Sequence, residues 1–252
     1  MNETRRQLLA SLSVAGAGAL LIGCRATPGG GGGRSGATND DGREPAPGEA
    51  PVPVEVTAVE DLMREHGILR RALLVYQESA VRLRHDAASV PAEALEKTAQ
   101  LFRVFGEEYH ESRLEEGYII PLIRKVQGPV AAYADVLVAQ HARGREITDY
   151  VLSVSQGDRI SPHQVDGVTK ALESFVRMYE HHATIEDTVV FPAWKTTAGE
   201  QEYSELGEKF EEIEAEIFGE DGFQSALRRM EEIESGLGLT NLDMFTAPPP
   251  AK

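Results

Sequence analysis

Beyond about residue 54 the apolar residues recur every three or four positions, and no stretch of useful length alternates with period two. Leu62, Leu69, Leu73 and Tyr76 show the pattern: one face of a helix is greasy enough to bury, and no strand has a face to offer. The chain is therefore expected to be all-α. Helix one is predicted from about Ala58 to Leu83. The second starts near Pro91, a good first-turn residue, and runs toward Ile123. A third spans about Val130 to Ser155, bounded by Gly128-Pro129 and Gly157. The fourth starts at Ser161-Pro162, read as an N-cap followed by a first-turn proline, and continues to about Trp194. Long helices with short loops predict an up-down-up-down four-helix bundle over residues 54–198. Residues 199–252 add an extension: one or two acidic amphipathic helices over 200–218 and 222–236, then an extended tail with Pro248-Pro249-Pro250.

The first fifty-three residues are of a different kind. Arg5-Arg6 precede an apolar run, Leu8 to Gly23, that is short for a membrane span and has a signal-peptide layout. Leu21-Ile22-Gly23-Cys24 resembles a bacterial lipobox, with residues 1–23 removed and Cys24 lipidated. Thr4 to Leu9 resembles the twin-arginine signal, which carries folded proteins across a membrane. Residues 24–53, rich in Gly and Pro with almost no large apolar side chain, read as a flexible tether. The expectation is an exported lipoprotein of the bacterial cell envelope, on the periplasmic face, held to the membrane through its N-terminal lipid alone. A net charge of -16 argues against nucleic acid as a partner, since that affinity comes from Lys and Arg. Cys24 is the single cysteine, so no intramolecular disulfide and no thiolate metal site exist.

Histidines are the informative residues. His66 falls in register with the buried face of helix one. Helix two carries His110 followed by Glu115 and Glu116, helix three carries His141, and helix four carries His182 followed by Glu186 and Asp187. The arrangement repeats: a lone histidine, then a histidine, an acidic pair and a proline (Pro121, Pro192), with five positions from the second acid to the proline in both halves. Two hairpins of one design bring a histidine from each helix and a carboxylate from each hairpin to a shared level. Burying such groups unpartnered costs several kcal/mol, and a metal satisfies them together. Imidazole with carboxylate suits iron, manganese or zinc, and two carboxylates able to bridge favour two ions over one. His182 and Glu186, four apart, share a helix face. His110 and Glu115, five apart, need either a long Glu side chain or a local irregularity, for which Pro121 is the candidate. Aligned on the acidic pairs, His110 matches His181, but the four-residue spacing to Glu186 favours His182. His85 and His163 are expected in solvent. Tyr109 and Tyr118 flank the helix-two ligands as core residues or as donors to the site. Glu111, Glu116 and Asp187 are candidates to hydrogen-bond the histidines.

These motifs resemble the hemerythrin-like (HHE) cation-binding domain. The resemblance rests on Glu65-His66-Gly67, the run Tyr109 to Glu116, Gln140-His141 and the run His182 to Pro192, and covers about Val59 to Phe191. It implies a non-haem diiron centre, oxo- or hydroxo-bridged, with His66, His110, Glu115, His141, His182 and Glu186 as metal ligands. It also implies a small ligand such as dioxygen, nitric oxide or peroxide, for sensing, buffering or delivery. Oxygen-carrying members use a fifth histidine a turn beyond the helix-three ligand, where this chain has Arg145. That position is then open, or filled by Glu111 or His181. Two other readings remain: a peroxidase or oxidase at the same centre, with an unknown redox partner, or a structural metal such as zinc in a protein that binds an envelope partner.

Overall fold

A computed structural model describes residues 56–219 and 222–250. The leader, Cys24 and the whole of the tether lie outside them. Every regular element among the described residues is helical. Helix α1 spans Ala58–His85. Helix α2 begins as Ala92–Leu101, widens into a π-helix over Phe102–Ile119, and ends as Ile120–Ile123. Helix α3 is Ala131–Val154. Helix α4 comprises Val165–Ile185, a π-turn at Glu186–Val190 and a run-on, Phe191–Phe218, broken at Gly199 (φ 74°, ψ 170°) into a second arm. Helix α5 is Gly222–Leu237.

Local chemistry sets these ends. Thr57 Oγ1 accepts from the Glu60 N–H while Glu60 Oε2 accepts from the Thr57 N–H, a capping box that starts α1. The expected start of α4 moves. Ser161 spends its hydroxyl on His163 Nδ1 (2.7 Å) instead of on a backbone N–H, residues 161–164 form a turn, and the helix opens at Val165. Part of the tail expected to be extended is a 3-10 turn, Leu242–Phe245, because the Asn241 side chain accepts from the Asp243 N–H. At Gly199 only a residue free of Cβ strain takes this conformation readily, which is where α4 yields to its arm.

Helix α1 packs chiefly on α4 and α2 on α3, while α5 closes over α1 and the start of α2. Tyr76, Phe102 and Phe175 fill the lower core, with ring centroids 4.8 to 5.4 Å apart. The arm beyond Gly199 is held by Trp194 stacked on Phe210 at 5.7 Å and by the Val59 N–H donating to the Tyr203 hydroxyl. A two-pronged Arg71–Glu234 pair (2.8 and 2.6 Å) docks α5 on α1. No described helix is long and apolar enough to cross a membrane.

Candidate metal centre

All six predicted side chains meet in the middle of the bundle, each no more than 4% exposed. Of the two ways to meet the His110–Glu115 spacing, the structure takes the irregularity, a π-helix. Its i→i+5 winding brings residues five apart nearly over one another, and the Ile120 N–H donates to the Glu115 carbonyl. In the second hairpin the Phe191 N–H donates to the Glu186 carbonyl in the same way. Each site carboxylate therefore sits at the head of a π-bond, and Pro121 and Pro192 each follow one residue later. The longer π stretch in α2 absorbs the extra residue between His110 and Glu115, so His182, not the exposed His181, occupies the place matching His110.

The imidazoles are fixed from outside. His66 Nδ1 donates to Asp187 Oδ1 (2.7 Å), His110 Nδ1 to Glu65 Oε2 (2.6 Å), His141 Nδ1 to Glu116 Oε1 (2.9 Å) and His182 Nδ1 to Gln140 Oε1 (2.9 Å). With each Nδ1 occupied, all four Nε2 atoms turn inward, as neutral imidazoles must to offer a lone pair. They come in two pairs: His66 with His110 at 3.0 Å, and His141 with His182 at 3.2 Å. Glu115 spans the pairs, Oε1 lying 3.3 Å from His110 and Oε2 3.3 Å from His141. Glu186 Oε2 lies 3.0 Å from His182 and 3.5 Å from His66.

This arrangement fits two cations. Lone pairs facing each other at such distances repel unless something positive joins them. Two nitrogens bound to one ion at about 2.1 Å and near a right angle sit about 3.0 Å apart. Both oxygens of Glu115 and Oε2 of Glu186 are buried without a hydrogen bond, a costly state that a cation removes. Two donor groups emerge, one of Glu115, His141, His182 and Glu186, the other of His66, His110 and Glu115. In the metal-free protein protons stand in. Burial resists charge on His110 and His141, but neighbouring carboxylates outweigh it and hold both pKa values well above the ordinary value. Burial, then the charge on His141, pushes His182 down to about 4. Burial, then Glu115, raises Glu186 to about 7.

A family model for the hemerythrin HHE cation-binding domain matches residues 57–194, and again 132–237. The chain belongs to this family. A hemerythrin HHE domain binds metal cations, and the buried His/Glu clusters fit such a site. Among its relatives are uncharacterised proteins of Mycobacterium bovis and of two Mycobacterium tuberculosis strains, each 42% identical over 194 residues, or 77% of this chain and 75% of theirs. No solved structure matches.

Other residues of this hemerythrin-like bundle fall into place around the centre. Asp187 and Glu116, which tie His66 and His141, are themselves gripped by Arg70 (2.6 Å) and Arg145 (2.7 Å). The Tyr109 hydroxyl donates to Glu65 Oε1 (2.9 Å), whereas Tyr118 packs on Phe210 away from the histidines. Glu111 holds no histidine. It accepts from Tyr179 (2.7 Å) and lies 3.3 Å from Arg145. His85 and His163 are exposed. A cavity with about 20 Å³ for the centre of a water-sized molecule abuts His66, His110 and His182. Sequence reasoning missed Glu65, Gln140, Arg70 and Tyr179 as parts of the site. Extending the repeat would have found three of them, since Glu65 and Gln140 each precede a lone histidine and Arg70 and Arg145 each follow one by four.

Proposed function

We propose that the chain is a diiron protein that binds dioxygen, nitric oxide or peroxide at the cell envelope, for sensing, buffering or delivery. The observation that carries this reading is the pair of facing Nε2 sets, with Glu115 offering one oxygen to each. His66 and His110 would hold one ion and His141 and His182 the other, with Glu115 and Glu186 between them. Iron supplies reversible electron exchange with small oxidants, which zinc does not. The protein's own contribution is orientation and exclusion. Asp187, Glu65, Glu116 and Gln140 fix the rings and their tautomers, and the aromatic and aliphatic core around the cavity keeps bulk water out. Iron-loaded protein should contain two irons per chain and show near-ultraviolet charge-transfer bands that change on reduction and on exposure to oxygen or nitric oxide. Zinc, one ion, or an unresponsive spectrum would sink the reading.

A second reading, a peroxidase or oxidase at the same centre, is favoured by the water-sized cavity beside the histidines and by Arg145 standing where a fifth histidine would. Turnover of hydrogen peroxide with an added electron donor, lost in Glu186→Ala, would decide for it. The envelope location rests on the leader motifs. Incorporation of labelled palmitate that disappears in Cys24→Ala is the corresponding test.

A further inference from the structure

Gly144 lies mid-helix in α3, where glycine costs about 1 kcal/mol relative to alanine. It is not among the positive-φ glycines, so backbone freedom does not account for it. Space does. A Cβ at residue 144 would lie 1.9 Å from the Tyr179 hydroxyl oxygen and 2.8 Å from Cζ. The missing side chain lets the phenol pass close to α3 and donate to Glu111 Oε1 at 2.7 Å. Arg145, the next residue, lies 3.3 Å from Glu111 Oε2 and also grips Ser112 Oγ (2.9 Å) and Glu116 Oε1 (2.7 Å). Both oxygens of Glu111 are thus held, although the residue is 3% exposed and lines the same cavity as His66, His110, His182 and Glu186. One of its oxygens lies within 4.8 Å of a His141 ring nitrogen.

A free carboxylate at this place is a hard oxygen donor on a short leash, and its effective concentration at a neighbouring ion is in the millimolar range or above. We propose that Tyr179 and Arg145 tether Glu111 outside the ligand set, with Gly144 making room for the tether, so that one position beside the cavity stays open to an outside molecule. This rests on the two-ion reading above, but not on the identity of the metal. The first hairpin has no such device: Leu69 and Glu107 stand where the second has Gly144 and Tyr179.

The test loads metal-free full-length protein with cobalt(II) and titrates sodium azide, following the visible ligand-field bands. Tyr179→Phe should weaken azide binding roughly tenfold or more, with weaker bands as Glu111 adds to the coordination number. Tyr179→Phe combined with Glu111→Gln should return azide affinity to about the wild-type value. Gly144→Ala keeps the hydroxyl but displaces it, so it should reproduce the loss even if Tyr179→Phe folds poorly. Wild-type azide affinity in both single variants, a double variant as weak as Tyr179→Phe, or wild-type protein that takes up cobalt(II) but no azide would each overturn the proposal. Cobalt-loaded protein that behaves as expected while iron-loaded protein ignores oxygen and nitric oxide would defeat the diatomic-ligand reading and uphold the tether.

Discussion

The two hairpins hold their histidines by the same rule and with different charge. In each, the lone histidine (His66, His141) donates to the second acid of the other hairpin (Asp187, Glu116), which an arginine four residues past that histidine grips in turn. In each, the partner histidine (His110, His182) donates to the residue just before the lone histidine of its own hairpin. There the symmetry fails, because that residue is Glu65 in the first hairpin and Gln140 in the second. A carboxylate behind an imidazole makes it more basic and a better donor, and an amide does less. The two rings also differ in their titration: burial resists charge on His110, but Glu115 and then Glu65 hold its pKa well above the ordinary value, whereas burial and then the charge on His141 push His182 down to about 4. Two similar sets of inward-facing donors are thus made unequal by residues that stand outside both sets.

The largest expected effect removes what the hairpins share. Glu115 is the side chain that gives an oxygen to each histidine pair, so Glu115→Ala should lower affinity for both ions by roughly a hundredfold or more. Metal content after dialysis measures this. Loss of one ion with full retention of the other would mean that Glu115 serves a single pair. Next comes the asymmetry itself. Glu65→Gln should weaken the His66/His110 position by about 10- to 100-fold and leave the other nearly unchanged, while Gln140→Glu should strengthen the His141/His182 position. Competition with a chelator, read as two separate affinities, checks both. Equal affinities in the wild type would break the comparison outright.

Proton release sharpens it further. Metal binding needs neutral imidazoles, and in the metal-free protein His110 and His141 stay protonated to a higher pH than an ordinary histidine. Metal uptake should therefore expel protons from these two, and apparent affinity should fall as pH falls through their raised pKa values. His182, down at about 4, has no proton to lose near neutrality. Calorimetry at pH 7 in buffers of different ionisation heat counts the protons. His182→Ala should lower affinity while leaving that count almost unchanged, whereas His110→Ala should lower both.

Much of this was legible because helical period and the His-acid-acid-Pro repeat are local patterns. The bundle, one histidine per helix with an acid from each hairpin at a shared level, and the choice between a long Glu reach and an irregularity after His110 follow from spacing along one chain, while the exact set of six is what the family resemblance implies. The start of α4 was not legible, because whether Ser161 caps a backbone or bonds His163 depends on a contest between two nearby partners. An irregularity was one of two options after His110, and nothing in the sequence says that a π-helix extends from Phe102 to Ile119 in one hairpin and from Glu186 to Val190 in the other. Least legible were the contacts between helices. Gly144 reads as a weak helix residue until the Tyr179 hydroxyl is seen in the space it leaves.

The smallest expected effect concerns Glu107, which stands three residues before His110 as Tyr179 stands three before His182. It is buried, and burial is the main cause that raises its pKa to about 7, with Thr148 and Arg103 opposing. Its folded pKa is thus above the unfolded value, so the stability it contributes is fully present below about pH 4.5 and is lost as pH rises through about 7. Glu107→Gln removes the ionisation. The variant should gain on the wild type as pH climbs from 5 to 8, by about 2 kcal/mol at pH 8, allowing for the lost pairing to Arg103 at 3.0 Å. Chemical denaturation of the metal-free proteins at the two pH values gives the number. A difference that does not depend on pH would show that Glu107 is ionised throughout, and the first hairpin would then carry a permanent buried charge where the second carries a phenol.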